Sequence, residues 1–138
     1  MLIVVDANVL CTALLAKGKT RSIIFSDRIE LIAPEKLFSE VEKHKSELGE
    51  RSKLSKEEIE ELLVLLKSEI EIIPITEFAD RLEEASNLLK EHTKDVEYVA
   101  LALKMRCPLW SKEKRLKNIP PIMTLDADEV EQRLFSSP

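Results

Sequence analysis

Five short apolar runs punctuate the chain, and between them apolar residues recur at helical spacing. The first run, residues 2–5 (LIVV), is β-branched and holds no polar position, the pattern of a strand buried on both faces. Residues 8–16 then read as a helix stopped by Gly18, and residues 20–26 as a second. Residues 30–33 (ELIA) form the next strand, and Pro34 suits the first turn of a helix with Leu37, Val41 and Leu48 along one face. Ser55-Lys56-Glu57-Glu58 fits a capping box ahead of Ile59, Leu62, Leu63 and Leu66, in a helix ending near Glu69. Residues 70–74 (IEIIP) read as a third strand. Phe78, Leu82, Ala85 and Leu89 stripe a helix over 77–91. Thr93 caps another, whose buried face is Val96, Val99, Ala100 and Leu103. Residues 108–110 and 122–125 give a fourth and fifth strand, and 126–135 a closing helix.

Short apolar strands alternating with helices predict an α/β fold, a central short-stranded parallel sheet flanked by helices on both faces, in three α/β/α layers. No repeat or linker divides the chain, so 1–138 is expected to be a single domain. In such sheets ligands bind beyond the carboxyl ends of the strands. This makes Asp6, directly after the first strand, a candidate site residue.

The totals narrow the class. The 138 residues are 44% hydrophobic and 34% charged, which suits a globular chain with a real core. The net charge of -5 does not advertise a nucleic-acid binder, although acids gathered around a cation would be neutralised there. Cys11 and Cys107 lack the spacing of a zinc site or a disulfide framework, so a reducing cytoplasm is the expected compartment. LIVV is too short for a signal-peptide core, and nothing approaches the roughly 20 apolar residues of a membrane span.

Three further acids could join Asp6. Glu40 flanks the buried face of its helix, Asp95 lies in the first turn of the Thr93 helix, and Glu113 follows the fourth strand by two residues. Each has an ordinary explanation as well: Asp6 as a helix cap, Asp95 as an acid at a positive helix end, Glu40 and Glu113 as solvated surface charges. Around Glu113 the segment 104–118 carries Lys104, Arg106, Lys112, Lys114, Arg115 and Lys117 with no other acid, a path for a phosphate backbone. Lys17, Lys19 and Arg21 form a smaller basic group. Trp110 is expected to pack in the core, and His44 and His92 to sit at the surface or its boundary.

The order of the four acids resembles that of the PIN-domain ribonucleases, including the VapC-type toxins. VVDANVL is similar to the first motif of that family, with Asp6 the acid and Asn8 the small polar residue two places on. SEVEKH resembles the second, at Glu40, and KDVEYVALAL the third, at Asp95. LWSKEKRLK resembles the fourth, Ser111-Lys112-Glu113, where the family usually has aspartate in place of Glu113. The resemblance covers essentially the whole chain. It implies a PIN-like fold and a metal-dependent endoribonuclease that cleaves single-stranded RNA to a 5′-phosphate and a 3′-hydroxyl. It also implies catalytic and metal-binding roles for Asp6, Glu40, Asp95 and Glu113, with support from Asn8 and Ser111; the RNA contacts expected from the basic segment itself are Lys112, Lys114, Arg115 and Lys117. An antitoxin protein and a homodimer are the implied partners.

The chemistry agrees with that set. Two ionised carboxylates about 4 Å apart repel by roughly 4 kcal/mol at an effective dielectric near 20, so converging acids recruit a cation. Oxygen-only ligands favour Mg²⁺ or Mn²⁺ over zinc. Two rival readings remain. The Asp-x-Asn sequence resembles the haloacid-dehalogenase phosphatases, but Asn8, Val9 and Leu10 stand where those enzymes need a second aspartate and Gly-Thr. The other is a PIN-fold module that binds RNA or protein without turnover, its metal site weakened by Glu113.

Overall fold

A computed structural model describes residues 1–136; Ser137 and Pro138, the last two residues of the expected domain, lie outside them. Leu2–Val5 forms β1, in which Ile3, Val4 and Val5 are completely buried. Successive strand residues point to opposite faces, so both faces of the sheet are covered. The remaining strands are β2 (Glu30–Pro34), β3 (Ile70–Ile73), β4 (Leu109–Trp110) and β5 (Thr124–Leu125). All pairings are parallel, in the order β3-β2-β1-β4-β5. The chain therefore builds outward from β1 in one direction, then crosses back to lay β4 on its other side. The reversal leaves a crevice between the carboxyl ends of β1 and β4, where α/β sheets place ligands. Val5 is in register with Trp110, so Asp6 and Ser111 leave the sheet side by side.

The helices are α1 (Ala7–Leu15), α2 (Lys19–Ile24), α3 (Lys36–Lys43), α4 (Lys45–Ser52), α5 (Lys56–Ser68), α6 (Leu82–Leu89), α7 (Val96–Met105) and α8 (Ala127–Phe135). Helix α7 packs across β1, β2 and β4, with α6 against it, while α1 gathers α2, α3, α4 and α5. Trp110 is 1% exposed, packed in the core as expected. Among the described residues no helix is long and apolar enough to cross a membrane.

Four local expectations need correction. Pro34 ends β2, paired with Ile73 of β3 but beyond the residues paired with β1, and does not open a helix; with no β1 neighbour there, its missing N–H costs the ladder little. The expected helix over Leu37, Val41 and Leu48 is broken at His44 into α3 and α4, because both pieces pack on α1 and the chain must bend around it. The helix expected over 77–91 is only α6; two 3-10 turns, Ile75–Glu77 and Ala79–Arg81, precede it on either side of the fully buried Phe78. Phe78 reaches the core from an irregular segment, which periodicity alone cannot distinguish from a helix position. Thr93 starts a 3-10 turn, Thr93–Asp95, and makes no cap hydrogen bond to α7.

The Ser55–Glu58 capping box is present as expected. A second, at Asp126 and Glu129, starts α8. The Asp126 carboxylate accepts the Glu129 N–H at 2.9 Å, and the Glu129 carboxylate accepts the Asp126 N–H at 3.1 Å. Replacing Asp126 by alanine is expected to cost about 1 kcal/mol, read as a lower urea midpoint with an unchanged slope.

Candidate functional site

Asp6 occupies the turn from β1 into α1, where it both caps the helix and lies buried at the sheet's switch point. It is the N-cap of α1, its Oδ1 accepting the Val9 N–H at 3.1 Å. Its side chain is also only 4% exposed at the mouth of the crevice. Burial raises its pKa from 3.8 to about 6, against the lowering pull of hydrogen bonds from Ser111 and Val9; the charges of Asp95 and Glu40 raise it further. A helix cap alone needs no such burial.

Asp95 stands at the N-cap position of α7, yet its side chain makes no cap hydrogen bond. It is 8% exposed, and its Oδ2 is buried without a hydrogen-bond partner. Burial is the main cause raising its pKa; Glu113 adds to it, while Lys94, Arg115 and Lys36 oppose. An unpaired buried carboxylate oxygen is costly, and helix capping does not explain it.

Glu40 projects from α3. Its Oε1 accepts the Tyr98 hydroxyl of α7 at 2.5 Å, with Lys36 Nζ 4.0 Å away. Lys36 in turn donates to the Lys94 carbonyl at 2.6 Å and lies 5.4 Å from the centre of the Tyr98 ring. Burial first, and then the Glu40 hydrogen bond and charge, push the Tyr98 phenol well above its ordinary pKa. Tyr98 therefore stays a protonated donor, fixing Glu40 beside the two buried acids. Neither Tyr98 nor Lys36 stood out in the sequence. The usable signals were a lone tyrosine on an apolar helix face, whose hydroxyl needs a partner, and a lysine four residues before Glu40.

The segment after β4 completes the surroundings. Ser111 is 1% exposed and its Oγ accepts the Glu113 N–H at 3.0 Å. The Glu113 side chain turns outward to Arg115, whose guanidinium holds its pKa below the usual glutamate range. Asn8 is exposed on the first turn of α1. It helps to line a groove of about 430 Å³ with Thr12, His44, Arg51, Lys112 and Glu113. Lys112 donates to Thr12 Oγ1 at 3.2 Å, and Lys114 is exposed. Lys117 lies elsewhere, ion-paired with Glu129 and 3.9 Å from Asp126. The structure thus brings Asp6, Asp95 and Glu40 within electrostatic reach of one another, with Glu113 near Asp95 at the rim.

Among the described residues no three His, Cys, Asp or Glu side chains form a ready cage for an ion. Magnesium does not require one: one or two carboxylates, several waters and substrate phosphate oxygens are its usual shell. The pair Asp6 and Asp95 meets that need with hard oxygen donors, and the unpartnered Oδ2 of Asp95 is free to take a cation. His44 is exposed and His92 half-buried, and neither adds a nitrogen ligand to the pair. The donor chemistry fits Mg²⁺ or Mn²⁺.

Comparison with known proteins agrees with the fold. The family profile described as PIN domain matches residues 4–134. No curated protein matches the sequence. Among solved structures, a chain of a toxin-antitoxin complex from Klebsiella pneumoniae is similar, with a TM-score of 0.63 at 17% identity. The match covers 88% of this chain and 96% of that one.

Proposed function

The chain belongs to the PIN-domain family, and on that premise we propose that it is a metal-dependent endoribonuclease hydrolysing phosphodiester bonds of single-stranded RNA, as a VapC-like toxin or an RNA-processing nuclease. PIN domains are generally nucleases. The observation that carries the reading is the pair of buried carboxylates at the sheet's switch point, Asp6 lifted to a pKa of about 6 and Asp95 with an unpartnered oxygen. Both features are costly in isolation and are relieved by a divalent cation.

Asp6 and Asp95 would hold Mg²⁺ or Mn²⁺, which when bound supplies an activated water and charge stabilisation on the phosphate. Glu40, held by Tyr98 and Lys36, would orient a water beside them. Ser111 fixes the turn after β4 through the Glu113 N–H, and Asn8 offers an amide to water or phosphate at the rim of the groove. Lys112, Lys114 and Arg115 would receive the RNA backbone, with Lys117 farther along the same basic segment. That exposed charge would give salt-dependent binding.

Family membership and the similarity to a chain of a toxin-antitoxin complex support a protein antitoxin as a partner of this chain. We propose a homodimer as the working form, and the cytoplasm as the compartment, where its two free thiols would stay reduced. A second reading, an RNA- or protein-binding PIN module without turnover, draws on the engagement of Glu113 by Arg115.

Cleavage of a quenched fluorescent single-stranded RNA separates the two. Turnover in Mn²⁺ or Mg²⁺ that EDTA stops is the expected result. RNA binding without cleavage in any metal, by folded protein, would select the binding module instead.

A further inference from the structure

Glu113 stands where the family usually has aspartate, and its surroundings give the extra methylene a use. Arg115 Nε donates to Glu113 Oε1 at 3.2 Å, and Nη2 donates to Oε2 at 3.4 Å. The carboxylate is thus taken side-on, one N–H to each oxygen. The third nitrogen, Nη1, lies 2.8 Å from His92 Nδ1. His92 belongs to the loop that leads to Asp95, whereas Glu113 follows Ser111. The guanidinium is therefore clamped between the two loops that carry the buried site. Of its five N–H donors, three are committed, which leaves one on Nη1 and one on Nη2.

This clamp is exposed: the Arg115 and Glu113 side chains retain 46% and 26% of their accessible surface. Ion pairs that exposed contribute little to stability, so holding the fold together does not account for it. Arginine's planar fork suits phosphate better than a lysine point charge does, and a fork immobilised before substrate arrives loses little freedom on binding it. A glutamate whose two oxygens are both engaged is a poor ligand for an ion. An aspartate at 113, one methylene shorter, would leave the fork less well held.

We propose that Glu113 is the anchor of Arg115 and not a ligand of the metal, and that Arg115 offers its two remaining N–H groups to a phosphate oxygen of the RNA at the cleavage site. The inference rests on the nuclease reading and assigns the fourth acid of that site a different task. Glu113 and His92 are then positioning residues, acting through Arg115.

The test uses the full chain and two readouts. Mn²⁺ affinity, measured by electron paramagnetic resonance without RNA, is expected to stay within about twofold in Glu113→Gln and Glu113→Asp; loss of a direct ligand would cost at least the roughly ten- to hundredfold typical of losing an outer-shell partner. In Mn²⁺, cleavage of the quenched RNA by Glu113→Gln, Glu113→Asp and Arg115→Lys is expected to lose about ten- to a hundredfold in kcat, the scale of a misplaced catalytic group, with KM nearly unchanged. The double variant Glu113→Gln/Arg115→Ala should be no slower than Arg115→Ala alone, since both act through one guanidinium.

A tenfold fall in Mn²⁺ affinity for Glu113→Gln, a faster Glu113→Asp, or an Arg115→Lys equal to the unmodified chain would each overturn the clamp while leaving the nuclease standing. An unmodified chain that cleaves no RNA in any metal overturns the nuclease reading, and the clamp with it.

Discussion

Asp95→Asn is expected to stop RNA cleavage while leaving the fold intact. The substitution keeps the size and planarity of the side chain and removes one charge. Metal stabilisation of a phosphoryl transition state is worth several kcal/mol, and each 1.36 kcal/mol is tenfold in rate. Loss of a principal ligand should therefore lower kcat/KM by about a hundred- to a thousandfold. Asp95 is the sharper choice than Asp6 because its carboxylate makes no helix-cap bond. Removing its charge takes away the proposed metal contact and no cap. The measurement is the initial rate on single-stranded RNA across a Mn²⁺ titration, with far-ultraviolet circular dichroism as the control for folding. Full activity in a folded Asp95→Asn protein would move the metal away from α7. Partial activity regained only at high Mn²⁺ would mean a weakened site in the same place.

Much of this site was legible because its carriers obey strong local rules. An unbroken β-branched run meeting an acid at residue 6 marks a buried strand ending at a polar mouth, and the structure buries Ile3, Val4 and Val5 completely. Alternating strands and helices imply a parallel sheet, and a parallel sheet implies where ligands lie; Asp6 and Ser111 meet there through the Val5–Trp110 register. What stayed hidden depends on groups distant in sequence. The Tyr98–Glu40 bond joins residues 58 apart, and the Arg115–His92 contact residues 23 apart. Neither leaves a local trace. The break at His44 follows from wrapping around α1, with no glycine or proline to announce it. Phe78 follows a helical stripe while sitting between two 3-10 turns, since an anchor residue and a helix-face residue look alike in one dimension. Asp95 shows the opposite case. Sequence placed it at a positive helix end, where it does lie, and only the unpartnered Oδ2 shows that capping does not explain its burial.

Metal-free protein is expected to become more stable when Asp6 is replaced by asparagine, and only above acidic pH. Asparagine is as good an N-cap as aspartate, so the bond from the Val9 N–H survives. In the folded chain Asp6 titrates near pH 6, mainly because burial disfavours its charge, against 3.8 for the unperturbed group. Between those values the folded state binds the extra proton. The stabilising contribution of protonated Asp6 is complete below about pH 4 and is lost as pH rises through 6. Above that, ionised buried Asp6 destabilises the native state by about 3 kcal/mol, at 1.36 kcal/mol per pKa unit. Asp6→Asn escapes this penalty. Urea unfolding in EDTA should therefore show the variant about 3 kcal/mol more stable than the unmodified chain near pH 8, with the gap closing toward pH 4. Asp95, itself raised by burial, is present in both proteins, and its repulsion of ionised Asp6 is part of the penalty that the variant escapes. Saturating Mg²⁺ or Mn²⁺ should shrink or reverse the gap, because an ion that binds the native carboxylates stabilises only the protein that has them. A stability difference that ignores both pH and metal would mean that Asp6 is neither strained by burial nor relieved by a cation, and its place at the end of β1 would reduce to capping α1.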